Sequence, residues 1–548
     1  MSVASATGSV ASLRGALLSS VTALLVACGG GGGDSGGVTP PPPPPPVTIS
    51  RAEAAAFLRQ STFGPTTGEI DRLISQGYAG WIDQQISQTA SLQAPALRAL
   101  PVAATQDDRV DLWFRHAVQG PDQLRLRVAF ALSQIMVVSE RSGLSQFPVA
   151  LAVYYDTLTQ NSFGNFRELM EQVTLSPAMG VYLSHLGNQK PNTALNIRPD
   201  ENFAREMMQL FTIGLVELNP DGTVRRDAQN QPISTYDQAA IENFARIYTG
   251  WMFGGSQSFA QPSFNFDQPM QAFETFHDTG AKTLLRGTTL PAGQTARADL
   301  EAALDNLFAH SNVPPFISKQ LIQRLTVSNP SPAYVARVAA RFENNGSGVR
   351  GDLAAVVRAI LLDTEARSPA ADAPGKLVEP LMRLTALWRA FDGRAASGRY
   401  RLSNADILVG QGPLRSPSVF NFYRPDYAPP GEMRAAGLVS PEMEIANEAT
   451  VAYMANLLAF ATFAGNSAAA NPASDDILID IRNEQQIAGN AGQLVDRVAD
   501  KLLGGAISTA LRNEAIAMAE RSPASATAGR VAEVIHTIVT SPEYVVQR

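Results

Sequence analysis

The chain has 548 residues, 45% of them apolar and 17% charged, with a net charge of −7. Such a length holds more than one hydrophobic core, and the acidic balance excludes the basic surface on which nucleic-acid binding depends. A single cysteine excludes a disulfide framework.

The first 27 residues read as a signal peptide. Arg14 is the only charged residue before position 34, and Gly15 to Ala27 is apolar except for Ser19, Ser20 and Thr22. A spanning helix needs roughly 20 apolar residues, so this run has the length of a signal-peptide core instead. It ends in Leu25-Val26-Ala27-Cys28, which resembles the bacterial lipobox. That resemblance implies cleavage before Cys28 and a diacylglycerol on its sulfur. Residues 28–47 then form a tether. Gly29 to Gly37 is nearly all glycine, a flexible coil, and Pro40 to Pro46 is unbroken proline, a stiff rod of about 3.1 Å per residue. Gly29 stands where an aspartate commonly retains lipoproteins in the inner membrane. The expected location is therefore the cell envelope, at the outer membrane. No later apolar run is long enough to span a bilayer.

Residues 48–548 read as a helical body. Ser50 and Glu53 form an S-x-x-E capping box. Ile70, Leu73 and Ile74 share an apolar face, and Gly77 is expected to stop that helix. A long helix is expected from Pro121 to Val138, apolar over much of its surface and central to a core. Another spans Asn165 to Leu175. Between Asp200 and Ile213, Phe203, Met207, Leu210 and Phe211 fall on one helical face, with Gly214 beyond its end. Thr235 and Gln238 are expected to cap the next helix, which presents Ile241, Phe244, Ala245 and Tyr248.

From Trp251 to about Gly293 glycine, glutamine and aromatics dominate, and Phe264 and Phe266 alternate. A short strand pair or an ordered loop is expected there. Helical spacing resumes at Leu300, Leu304, Leu307 and Phe308, and again after Ser331-Pro332. Further helices are expected near 352–362, 376–391 and 441–463. Residues 465–490 read as a surface loop. The fold class is mainly α: a large multi-helix body with a small β or loop insertion around 251–293. Glu201-Asn202-Phe203-Ala204-Arg205 recurs as Glu242-Asn243-Phe244-Ala245-Arg246. With no third copy, these are two similar amphipathic helices and not a repeat array.

Several long strings resemble one bacterial family. They include FLRQSTFGP from Phe57, PDENFAREMMQLFTIGL from Pro199 and TYDQAAIENFARIYTGW from Thr235. HDTGAKTLLRG from His277, PPFISKQLIQRL from Pro314, GKLVEPLMR from Gly375 and SPSVFNFYRPDYAPPG from Ser416 follow in order. The chain is similar to the family catalogued as domain of unknown function 1800. The resemblance implies export. It also implies, by gene association, an exported partner that looks like the phosphatase and sulfatase fold. Many members carry His-Pro-Ala-Met where this chain has Ser176-Pro177-Ala178-Met179.

The H-E-x-x-H, S-x-x-K and C-x-x-C signatures are absent. Gly280-Ala281-Lys282-Thr283 lacks the glycines of a P-loop. Two constellations remain. Glu206 lies at the border of an apolar helix face, where a carboxylate can act as a general acid or base. Glu201–Arg205 and Asn202–Glu206 also have the i,i+4 spacing of pairs that merely support a helix. His277-Asp278, followed by Lys282, lies in the non-helical insertion, where a histidine beside an acid suits base catalysis or a metal. An Asx turn from Asp278 toward Gly280 is the structural alternative. With His185 and Glu206, a mixed nitrogen and oxygen metal site is conceivable. The candidate catalytic groups are thus Glu206, His277 and Asp278, and the candidate ligand-binding groups Glu201, Arg205 and Lys282. No cofactor or particular metal is indicated. A third stretch, Asn421 to Gly431, joins aromatics and arginine either for ring stacking on a ligand or as a proline-set loop over the core. Two functions remain open: an extracytoplasmic hydrolase, or a lipid-anchored protein acting with an exported enzyme.

Overall fold

Ser50 caps the Arg51–Ser61 helix as its spacing requires. The Glu53 N–H donates to Ser50 Oγ at 3.2 Å, and the Glu53 carboxylate accepts from the Ser50 N–H at 2.8 Å. The computed structural model describes residues 48–370, 373–402 and 404–548. The signal peptide, Cys28 and the tether expected over residues 1–47 lie outside the described residues. Helix accounts for 52% and strand for 5%, so the fold is mainly α. Residues 48–548 form one unit of their own with a continuous apolar core. No helix among the described residues is long and apolar enough to cross a membrane.

The Thr67–Ile86 helix kinks at Gly77 (φ 73°, ψ 163°) and resumes. Gly77 thus ends the first helical segment, as expected, and a second segment starts beyond it and draws Trp81 and Ile82 fully into the core. The central helix is shorter than its apolar run suggested, Gln123–Ser133 against an expected 121–138. Every residue in it except Arg125 is buried. Asp122 turns its carboxylate away to accept from Ser91 N–H and Oγ at 2.8 and 2.5 Å. Beyond Ser133 the chain stays buried without being helical, which an apolar pattern alone cannot distinguish from helix.

Phe166–Thr174, Asn202–Gln209 and Gln238–Ile247 are helices. The last is capped by Asp237, whose Oδ1 accepts from the Ala240 N–H at 2.9 Å. Thr235, the expected cap, instead donates its hydroxyl to the Gly214 carbonyl at 2.5 Å. Between these two helices a small meander, bridged at Val216–Ser234, Leu218–Val224 and Arg226–Pro232, projects with residues 223–232 exposed.

The insertion holds two antiparallel pairs. β1 (Trp251–Met252) pairs with β2 (Gln271–Ala272), and β3 (Lys282–Thr283) with β4 (Thr289–Leu290). It is closed by the Ala296–Phe308 helix. A third pair joins β5 (Lys376–Leu377) to β6 (Val546–Gln547). The helix expected from 376 therefore starts at Pro380, because the preceding backbone is committed to β6. Residues 465–490 are mostly irregular, but Ile479, Ile481, Glu484 and Ala488 are fully buried, and Arg482–Gln485 is a helical turn.

Candidate functional site

The Gln238–Ile247 helix aims Arg246 at the insertion. Its Nε and Nη2 donate to the two oxygens of Asp278, each at 2.9 Å. Asp278 Oδ1 also accepts from the Gly280 N–H at 2.8 Å, which is the Asx turn. Burial pushes the Asp278 carboxyl up, but Arg246, the Gly280 N–H and Lys282 outweigh it and hold the pKa below the usual value.

His277 is fully buried. Its Nδ1 lies 3.0 Å from the Thr249 carbonyl, which can only accept, so Nδ1 carries a hydrogen. Its Nε2 lies 3.0 Å from Asp299 Oδ2. Lys282 Nζ donates to that same oxygen at 2.6 Å, to the Gly280 carbonyl at 3.0 Å and to the Asp278 carbonyl. Two nitrogens thus converge on one carboxylate oxygen, and a hydrogen sits between Nε2 and Oδ2. For Asp299, burial again raises the carboxyl, and His277 and Lys282 outweigh it to leave the pKa lowered. Asp299 comes from the helix that follows the insertion, 22 residues after His277.

This arrangement leaves His277 no free lone pair with which to bind a metal or take a proton from a substrate. His277, Asp278 and Lys282 are brought together with two residues not singled out in the sequence, Arg246 and Asp299. The cluster ties the insertion to the helices on either side.

Glu206 belongs to a different place. Phe203 and Met207, both fully buried, hold the Asn202–Gln209 helix so that Glu206 is buried too, with no hydrogen-bond partner on Oε2. Burial raises its pKa against the opposing pull of Arg205. Two tyrosines flank it. Burial and then the Glu206 carboxylate push Tyr182 up to about 12, and burial with a smaller push from Glu206 takes Tyr236 to about 12. Glu201 and Arg205 form an i,i+4 pair at 3.2 Å, and Gln238 donates to both Glu201 oxygens at 3.0 and 3.2 Å. His185 hydrogen-bonds the Thr174 carbonyl through Nε2 at 2.8 Å and stacks on Phe203 at 3.8 Å. Burial depresses its pKa to about 4. Ser176, in place of the family histidine, precedes the Pro177–Tyr182 helix and is buried. Among the described residues no group of three or more His, Cys, Asp or Glu side chains gathers as a metal site.

A second buried charge network was not anticipated. Gln134 and Gln411 donate to Glu379 Oε2 at 3.0 and 2.5 Å, with Arg127 at 3.8 Å from Oε1. Lys376 pairs with Glu442. Arg324 lies over the Tyr423 ring at 4.7 Å, and Asn421 donates to Gln134 at 3.3 Å. All of these side chains are buried. Burial raises Glu379, but Arg127, Lys376 and Gln411 outweigh it and the pKa is lowered. The signal for this network lay in the quoted strings, since QLIQRL, GKLVEPLMR and SPSVFNFYRP each supply a member. The Asn421–Gly431 stretch accordingly packs Tyr423 inward, with Arg424 paired to Glu444 at 3.2 Å.

No curated protein and no solved structure matches the chain significantly. A family model described as "Protein of unknown function (DUF1800)" matches residues 56–546, nearly the whole helical body and every string that forms these clusters, and the chain belongs to that family.

Proposed function

We propose that this is an exported lipoprotein, anchored to the outer membrane through Cys28, that works beside an exported enzyme of phosphatase or sulfatase type and is not itself the catalyst. One observation carries the reading: His277, Asp278 and Lys282 have their hydrogen-bonding capacity taken up by Thr249, Asp299, Arg246 and backbone carbonyls. Residues with no free donor or acceptor hold a loop in place. The exposed meander at 223–232 offers a projecting surface to a partner.

Two measurements test it. Radiolabelled palmitate fed to cells should label the protein, and Cys28→Ser should abolish the label. A photo-crosslinking residue placed at Arg226 should capture one protein of the phosphatase or sulfatase fold in intact envelopes. A labelled but uncrosslinked protein would remove the partner and keep the anchor.

A second reading rests on Glu206. A buried carboxyl with a raised pKa, an unpartnered oxygen and two flanking tyrosines suits a general acid in a hydrolase. Hydrolysis of an envelope polymer by the purified chain, lost in Glu206→Gln, would replace the first reading with this one.

A further inference from the structure

The Glu448–Ala459 helix continues without a break into a π-helical turn, Phe460–Ala464, closed by the Gly465 N–H on the Phe460 carbonyl at 2.7 Å. Met454, Leu458 and Ala461 face the core. Tyr453, Phe460 and Phe463 lie away from the core, and Val451, in line with Met454 and Leu458, is left open near the start of the helix; each is 45–56% exposed, with alanines 449, 452 and 455 exposed among them. Met443 just before the helix is exposed as well, and so is Ile407 on the neighbouring Ala405–Leu408 turn. A soluble surface seldom leaves so many large apolar side chains open along one helix.

The charge around this face decides what covers it. From Ala435 to Ile481 there is no lysine or arginine. Four of the six carboxylates of that stretch are paired from outside it, Glu442 by Lys376, Glu444 by Arg424, Asp475 by Arg401 and Asp480 by Arg482, which leaves Glu448 in the first turn of the helix and Asp476 in the following loop. The strip is therefore apolar and aromatic, with Glu448 at its N-terminal end as its one charged side chain. A protein partner draws its orientation from complementary charge, which this strip does not provide. A bilayer needs none, because an apolar helix face with aromatic side chains sinks to the headgroup boundary by area alone. The tether read from the sequence adds the second argument. A glycine and proline sequence of that length has a reach of roughly 40 Å, so a body anchored at Cys28 would work within reach of the lipid.

We propose that the exposed face of residues 448–464 docks on a neutral lipid surface, laying the body against the membrane that its anchor brings near. The nearness of that membrane rests on the anchored-lipoprotein reading. The docking itself does not, and it can be tested without the anchor. Residues 48–548, a unit with its own core, are floated with vesicles of phosphatidylcholine and phosphatidylethanolamine. The body should float with the vesicles, at 50 mM and at 500 mM salt alike, and adding phosphatidylglycerol should not strengthen it. The double variant Phe460→Glu, Phe463→Glu should lose at least about tenfold in partitioning while keeping its unfolding temperature, since both side chains are exposed. Leu195→Glu, an exposed apolar residue elsewhere, should leave binding unchanged. A wild-type body that stays at the bottom of the gradient overturns the proposal. So does flotation indifferent to the double variant or dependent on phosphatidylglycerol, or a dimer in sedimentation that the same variant dissolves. The palmitate label on Cys28 reports separately on the anchor.

Discussion

His277 and Asp299, 22 positions apart, meet at 3.0 Å in a site sealed from solvent, and Lys282 reaches the same carboxylate oxygen at 2.6 Å. Removing one partner of such a group strands a buried charge, which costs about 3–5 kcal/mol. Lys282→Met should lower the unfolding midpoint by an amount of that order in chemical denaturation. His277→Gln should do less, because a neutral amide can still donate to Asp299. Equal midpoints for Lys282→Met and the parent would show that the cluster contributes nothing to folding.

Acid should loosen the fold well before the carboxylates protonate. Burial depresses His116, His185 and His310 from 6.5 to about 4. A folded-state pKa below the unfolded one means that the unfolded chain binds the proton first. Stability is therefore full above pH 6.5 and falls as pH drops from 6.5 toward 4. Asp156 works the other way, since burial raises it from 3.8 to about 6 and its ionisation costs stability as pH rises between those values. Burial also lowers His536 and raises Glu206, so four histidines against two carboxyls give a net loss on acidification. Thermal unfolding followed from pH 7 to pH 4 should show it, and His185→Gln should flatten the slope. A flat profile would mean that the histidines are hydrated.

Gly64 cannot be replaced. Its φ is +128°, and an added Cβ would lie 2.3 Å from Ala386 Cα. Its carbonyl accepts from Arg389 Nε at 2.6 Å. Backbone strain and the clash together should cost about 3 kcal/mol or more, so Gly64→Ala should be recovered poorly in soluble form and melt early. A normal melting curve would show that the two segments can separate at no cost.

Glu206→Gln distinguishes structure from chemistry. Burial raises the Glu206 pKa, so its ionised form is disfavoured in the folded state. At pH 7 the neutral amide should match or exceed the parent in stability, and the gap should close as pH falls through the folded-state pKa. A markedly less stable variant would point to a hydrogen bond that the carboxylate needs.

Local features of the sequence were legible where short-range chemistry decides them. The Ser50 capping box, the Asx turn at Asp278 and the Ser331 cap are all formed within four residues. The insertion at 251–293 stood out because its composition departs from helical spacing. Errors arose where distant residues intervene. Thr235 looked like a cap until the Gly214 carbonyl claimed its hydroxyl. The site shows the same division. HDTGAK named three members of its cluster, but Arg246 and Asp299 arrive from flanking helices, and no spacing rule pairs them with His277. Glu206, placed with His277 on chemical grounds, has its own surroundings of Tyr182 and Tyr236.

β5 and β6 join residues 171 positions apart: Lys376 pairs with Gln547, and the Gln547 amide reaches back to the Leu325 and Thr326 carbonyls at 3.3 and 2.6 Å. The strand that holds Lys376 beside Glu442, within the field of Glu379, is thus completed by a segment synthesised well after it. Whatever order the helices adopt as they emerge, the buried network stays open until residue 547 arrives. A growing chain consequently carries an unfinished polar interior from Lys376 until Gln547 is made, and folding closes like a clasp rather than a zip.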